Sequence, residues 1–337
     1  MIKRREILKV GAGAAAAGIA MTGASGIGRA QSKMVMKASD VHPLGYPTVE
    51  AVVRMGKKLD TATNGRLSIQ MYPSMQLGGE KEMIEQAQVG ALQLARISVG
   101  PMGPIVDELN VFNMPFVFRD IAHMRKVIDG AIGDELLTKL SNSSQARLMG
   151  LCWMDAGARS VYNSKKPIKS IDDLRGLKIR MMGNPIFVDT MNALGGNGIA
   201  MGFDQLYNAL QTGVVDGAEN NPPSYESGKH FQVAKYYSLT EHLIIPEILV
   251  FSKASWDKLA KEDQALIQKL AKETQQDQRK LWDEREAQSI EQIKKAGVEI
   301  ITFSPQEKKR FQEAVKPVWD KYGAKYTELV KRIQAAS

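Results

Sequence analysis

Arginines closing β-like runs, together with an acid and amide cluster, are the groups in this chain best suited to chemistry. That chemistry is anion binding. The run Leu177-Lys178-Ile179-Arg180 ends on a guanidinium. The stretch Gly202–Asn221 reads as a short helix, a glycine stop, an apolar strand and then Glu219-Asn220-Asn221. Strands of an α/β sheet deliver functional groups at their carboxyl ends, where crevices open. A planar guanidinium can give a carboxylate two parallel hydrogen bonds, whereas lysine offers a point charge. Arg180 from one strand and an amide pair from another therefore describe a pocket for a small carboxylate. No catalytic group is evident beside them, so the expectation is binding.

Other chemistries find little support. The four histidines, at 42, 123, 230 and 242, lack metal-ligand spacing. There is no Gly-x-Ser-x-Gly elbow. Acid pairs such as Asp172-Asp173 sit at helix starts, where the helix dipole accounts for them. Neither an enzyme nor a bound cofactor or metal is expected. Without a basic run interleaved with aromatics, nucleic acid is a poor partner. Cys152, the only cysteine, cannot form an internal disulfide and reads as a buried thiol on a strand.

The first thirty residues stand apart. Lys3-Arg4-Arg5-Glu6-Ile7-Leu8-Lys9 is a charged start, a Gly- and Ala-rich apolar stretch follows, and a small residue stands at Ala30. The paired arginines resemble a twin-arginine export signal, which places the mature protein in the periplasm. Residues 1–30 carry a net +4 of the chain's formal +8, leaving about +4, which suits anionic ligands weakly. No later apolar run approaches the roughly 20 residues of a membrane span. A monomer is expected.

The 337-residue chain, 44% hydrophobic and 24% charged, is large enough for about two domains. Strand-like Met34–Val41, a helix over Tyr46–Thr63, alternating Leu67–Met71, a helix over Glu80–Val89 and the run Leu92–Ile97 give a β-α-β-α-β rhythm. That rhythm predicts a mostly parallel sheet with helices on both faces. Asp120 can cap a helix through Ile128, and Asn184-Pro185 opens another that Gly195 ends. Ser238–Ser252 is apolar apart from Glu241, His242 and Glu247, with Pro246 in the middle, and suits an extended crossover between domains. Lys261–Ala296 reads as one helix of roughly 50 Å, longer than one domain needs. Ser304-Pro305-Gln306-Glu307 reads as a capping box opening the last helix.

Three blocks carry a resemblance. They are Leu77-Gly78-Gly79-Glu80 through Gly90-Ala91-Leu92, Gly157–Ser164 leading to Asp173-Leu174-Arg175-Gly176-Leu177-Lys178-Ile179-Arg180, and Gly202–Asn221. In order and spacing they resemble the solute-binding proteins of tripartite ATP-independent periplasmic (TRAP) transporters, of the dicarboxylate-binding type. The resemblance covers essentially all of the chain after residue 30. It implies an α/β, two-domain periplasmic binding fold of type II-like architecture, with hinge strands and a long domain-spanning helix. It also implies a receptor that closes over an organic acid and delivers it to a separate membrane permease. The corresponding segments are 31–156 plus 246–284 for one domain and 157–245 plus 285–337 for the other.

In such proteins the arginine at the position of Arg180 clamps the ligand carboxylate. Arg159 is often a second contact, and Phe203 and Asn220 commonly line the cleft. Arg159 could equally form an ion pair with Asp155 or Asp189. Arg96 either reaches the ligand or neutralises Glu219. Asn220 and Asn221 either contact ligand or cap the turn before Pro222-Pro223. Phe203 has a core alternative, while Tyr225 and His42 stand near the expected cleft loops. The runs Arg96–Pro101 and Glu219–Tyr225 resemble a subgroup that takes sugar acids such as hexuronates. A hexuronate has one carboxylate and many hydroxyls, matching one arginine clamp with Glu219, Asn220 and Asn221. A C4-dicarboxylate would instead use Arg180 at one end and Arg96 or Arg159 at the other.

Overall fold

Helix Pro47–Ala62 starts on a proline and buries Val49, Ala51, Val52, Met55 and Leu59 along one face. Each of the larger side chains, Val49, Val52, Met55 and Leu59, stabilises by roughly 1.5–3 kcal/mol when removed from water, so this face, more than helix propensity, holds the element in place. In the computed structural model, which describes residues 33–336, it shares a core with Met36, Leu67, Phe251, Ile267 and Leu270. The export segment expected over residues 1–30 lies outside the described residues.

Two sheets carry the fold. The first contains β1 (Met34–Ser39), β2 (Leu67–Tyr72), β3 (Leu94–Ser98), β4 (Leu148–Met154) and β10 (Glu247–Ser252), in the order β2-β1-β3-β10-β4. The second contains β5 (Ala158–Asn163), β6 (Lys178–Met181), β7 (Asn197–Ala200), β8 (Gly217–Asn220), β9 (Tyr236–Ile244) and β11 (Glu299–Ile301), in the order β11-β9-β5-β8-β6-β7. Both are mostly parallel, as expected, with one reversed strand each, β10 in the first and β5 in the second. β1 pairs β2 and β3 in parallel, as the opening rhythm implies, but β10 runs antiparallel to both β3 and β4. In the second sheet β5 is antiparallel to β8 and β9. The reversed strands β5 and β10 are the ones the chain enters directly after crossing from the other sheet. Local β-α-β periodicity carries no trace of that.

The chain crosses between β4 and β5 at Asp155–Gly157, and again between β9 and β10 at Ile245–Pro246. The helix Lys261–Lys295 makes the third link. Ile267, Leu270 and Ala271 pack into the first sheet's core, and Ile293 packs with Tyr162, Tyr225 and Tyr237 of the second. Midway, Gln278 fastens the first crossing. Its Oε1 accepts from the Asp155 amide at 2.8 Å, and its Nε2 donates to the Asp155 carbonyl at 2.9 Å. Trp282, fully buried beside Tyr46 and Ala156, covers the same bend.

Two local expectations change. β8 begins at Gly217, so Glu219 and Asn220 lie within an interior strand and do not follow it. Ser304 does cap its helix, accepting from the Glu307 amide at 3.2 Å, but the capping box is not completed. The Glu307 carboxylate accepts instead from the Ile171 amide at 2.7 Å, tying the C-terminal helices to the second sheet's first turn.

Gly157 takes φ +61°, and a Cβ there would lie 2.8 Å from Glu286 Oε1 and 3.0 Å from Trp282 Cζ2. Gly157→Ala is therefore expected to destabilise the protein by about 1–3 kcal/mol through strain and crowding at the crossing. Urea unfolding measures this, and an unchanged midpoint would show that the bend tolerates a side chain.

Candidate functional site

The carboxyl end of β6 faces the amino end of the Glu80–Gln88 helix, the start of β10 and the end of β3, and between them lies a small buried cavity of about 30 Å³. It opens outward into a cleft of about 790 Å³, with Glu80, Arg180, Met182 and Phe203 lining both spaces.

Arg180 is the unusual group. It is 2% exposed, its Nε donates to the Met201 carbonyl at 2.8 Å, and its Nη1 has no partner. Among the described residues it forms no ion pair. Burial pushes its pKa below the usual arginine value, but a guanidinium remains charged at any physiological pH. A buried charge without a counter-ion is expensive unless something else neutralises it. An entering carboxylate would do so with the bidentate geometry that guanidinium favours.

Arg159 is different. Its Nε and Nη2 grip Glu219 Oε2 and Oε1 at 2.6 and 2.8 Å, while Nη1 donates to Asn220 Oδ1 at 2.7 Å. The ion pair foreseen for Arg159 thus exists, but its partner is Glu219. Asp155 pairs with Arg125, and Asp189 with Lys321. Glu219, 0% exposed, is spent on that pair and lines neither space, which corrects its expected role as a hydroxyl acceptor. The register that sets Glu219 opposite Val161 on β5 points its carboxylate at Arg159.

Arg96 needs the larger correction. Nε and Nη2 donate to Asp40 Oδ1 at 3.2 and 2.6 Å. Nη1 donates to Glu80 Oε1 at 2.7 Å and to Glu247 Oε2 at 2.6 Å. Nη2 also approaches His42 Nδ1 at 2.8 Å. Of the five N–H donors of a guanidinium, four go to these carboxylates and the fifth faces His42. Arg96 does not neutralise Glu219, and although it lines the cavity its charge is already matched by three acids.

Asn220 and Asn221 both line the cavity. Asn220 Oδ1 accepts from Arg159 and from the Asn221 amide, and its own NH₂ has no partner among the described residues. Asn221 caps the Pro222–Ser227 helix through Oδ1, accepting from the Ser224 amide at 2.8 Å, so for Asn221 the capping and lining alternatives hold together. Phe203 is half-buried and borders both spaces, 5.8 Å from the His42 ring. His42 stacks on Tyr46 at 3.7 Å and lies 3.0 Å from Asp40 Oδ1 and 3.1 Å from Ser224 Oγ. Tyr225 does not line the cavity. Its hydroxyl donates to the Ala234 carbonyl at 2.5 Å and its ring packs between Tyr162 and Tyr237, because the helix it sits on turns that side chain into the second sheet's core.

Asp40, Glu80, Glu247 and Ser224 escaped sequence reasoning as site residues. Glu247 carried a signal, being an acid beside Pro246 in an apolar run. Asp40 and Glu80 acquire meaning only through Arg96, which is distant in sequence.

Burial opposes ionisation of Asp40, but the Arg96 guanidinium and His42 hold its carboxyl well below the usual range. Burial raises Glu247 to about 7. Burial, and then Arg96, lowers His42. Burial, and then Arg180, takes His230 down to about 3, and burial takes His242 down to about 4. These shifts predict an acid-sensitive fold. Below about pH 6.5 the unfolded chain protonates His230 and His242 while the folded chain keeps them neutral, which favours unfolding, and the lowered His42 acts in the same direction. The folded chain keeps one extra proton on Glu247 between about pH 7 and 4.5, which offsets one of them. Unfolding near pH 5.5 should then take up at least about one proton, and stability should fall by roughly 1.4 kcal/mol per pH unit or more. Urea unfolding at pH 7, 6 and 5.5 tests this, and a flat or rising stability would refute it.

Two α/β lobes joined by crossing strands and a shared helix, with an unpaired arginine buried at the cleft between them, define a solute-binding receptor of the periplasmic type. The comparisons agree. The family described as "Bacterial extracellular solute-binding protein, family 7" (DctP) matches residues 38–325, and this chain belongs to it. A TRAP periplasmic solute-binding protein from Pseudomonas putida F1, solved with bound D-glucuronate, is 55% identical, with a TM-score of 0.87 over 90% of this chain and 97% of that one. A second from a Bradyrhizobium species, in complex with α/β-D-galacturonate, is 48% identical, with a TM-score of 0.86 over 89% and 99% of the two chains. A solute-binding protein of Chromohalobacter salexigens is 40% identical over 86% of this chain and 85% of its own length.

Proposed function

We propose that this receptor captures a hexuronate, D-glucuronate or D-galacturonate, in the cleft between its sheets and presents it to a TRAP membrane permease. The observation that carries this reading is the buried Arg180 guanidinium, which among the described residues has an unused donor and no carboxylate of its own. Arg180 holds the sugar acid's single carboxylate, and the amide NH₂ groups of Asn220 and Asn221 meet ring or hydroxyl oxygens. Phe203 and His42 close the sides, and Arg159, gripped by Glu219, orients Asn220. The uronates bound to the similar Pseudomonas and Bradyrhizobium proteins support the same ligand class. A C4-dicarboxylate is the weaker reading, because Arg96 and Arg159 are both already paired.

In this reading the lobes comprise residues 31–156 plus 246–284 and 157–245 plus 285–337, and they close by bending at Asp155–Gly157 and Ile245–Pro246. Contacts that span the cleft would hold the closed state. Ser224 Oγ lies 3.1 Å from His42 Nε2 and 2.8 Å from the Tyr46 hydroxyl, and Asn184 Nδ2 donates to the Gly100 carbonyl at 2.9 Å. The receptor acts as a monomer without catalytic chemistry or cofactor, and residues 1–30 direct its export by the twin-arginine route.

Thermal-shift measurement with an organic-acid set tests the ligand class. A uronate at a hundred times its Kd should add about 2.7 kcal/mol of stability. Arg180→Lys, which keeps the charge but loses the two parallel hydrogen bonds, should weaken uronate binding by about 10- to 100-fold by calorimetry, since a hydrogen bond to a charged group contributes about 1.5–3 kcal/mol, while the variant stays folded. Stabilisation by succinate alone would overturn the uronate assignment, and full affinity in Arg180→Lys would remove Arg180 as the clamp.

A further inference from the structure

The two walls of the cavity carry opposite charge. On the second sheet's side stand Arg180, unpaired, and the Arg159–Glu219 pair, which is neutral as a unit, so that wall has one uncompensated positive charge. On the first sheet's side a single guanidinium, Arg96, faces the three carboxylates of Asp40, Glu80 and Glu247. His42 is held neutral there. Three acids against one base leave an excess of between one and two negative charges, depending on how far Glu247 is ionised.

The geometry of the acids makes this excess usable. Glu80 Oε1 accepts from Arg96 and from the Ser98 amide, but its Oε2 accepts nothing among the described residues. Glu247 Oε2 accepts from Arg96, while its Oε1 is likewise free. Both residues line the cavity, and Glu80 also borders the outer cleft. An ionised carboxylate is an acceptor only. A sugar hydroxyl can donate to it, whereas a second ligand carboxylate would meet like charge in a desolvated space.

We propose that Glu80 and Glu247 are specificity-determining residues, accepting hydroxyls from a mono-acid sugar clamped by Arg180 and repelling diacids of the same carbon chain. Arg96 acts as their positioning residue, holding one oxygen of each acid and leaving the other turned to the ligand. This inference rests on the hexuronate reading above and adds the basis of discrimination.

Calorimetric titration of the whole receptor with D-glucuronate, D-gluconate and D-glucarate tests it. D-Gluconate and D-glucarate are both open chains and differ by one carboxylate, which separates charge from shape. Wild-type protein should bind D-glucuronate at least about 100-fold more tightly than D-glucarate, and D-gluconate at least about tenfold more tightly than D-glucarate. In Glu80→Gln and in Glu247→Gln, D-glucuronate should weaken and the glucuronate-to-glucarate ratio should shrink by about tenfold or more. D-Glucarate binding the wild type as well as D-gluconate does, or ratios unchanged in both folded variants, would overturn the proposal. Should either variant melt below assay temperature, the wild-type ratios decide alone. Failure of D-glucuronate to bind wild type at all would instead overturn the proposed function, and this inference with it.

Discussion

The arrangement of the cleft depends on leaving one guanidinium charged, dry and alone. Placing Arg180 inside β6, with only the Met201 carbonyl as partner, costs folding energy that the rest of the protein must offset. The offset comes from cores packed on both sheets, with the long helix bridging them. An arginine fully satisfied by a neighbouring acid would stabilise the empty protein and lose its reason to take a ligand. Nearby arginines show the contrast, since Arg159 and Arg96 are equally buried but fully matched by carboxylates. One unmatched cation among matched ones is how a binding protein reserves part of its electrostatics for its cargo.

Matched pairs also build the site's shape. Glu219 holds Arg159 so that Nη1 reaches Asn220 Oδ1, and this fixes the amide with its NH₂ outward. Arg96 draws Asp40, Glu80 and Glu247 from three separate segments onto one point. Positions on interior strands and helix starts are rigid, so the polar groups keep their geometry before a ligand arrives.

Much of this was legible in the sequence, for identifiable reasons. Arg180 ends a strand run, so its place at a crevice follows from how α/β sheets are built. The long helix showed itself by apolar spacing sustained over some ten turns between Lys261 and Lys295. Pairing partners were harder, because Arg96 meets Asp40 from 56 residues away and Glu247 from 151, and no local pattern encodes such meetings. Tyr225 was misplaced because an aromatic after a proline-capped turn looks the same whether it faces a cleft or a core. The reversed directions of β5 and β10 were hidden for a similar reason, since strand direction depends on where the chain comes from and not on the strand's own residues.

The place of β10 in the first sheet has a consequence for how the molecule is made. It lies between β3 and β4, strands that end and begin about fifty residues apart and have no other hydrogen-bonded link to each other. Until residues 247–252 exist, that sheet is two fragments with facing open edges. Its core also lacks Ile267, Leu270 and Ala271. The first sheet therefore cannot close until the chain has been made through residue 252. Completion waits for the last third of the sequence, and the long-range pairings that close the sheet make that step slow. An exported receptor built this way assembles as one unit, late, from segments far apart in the chain.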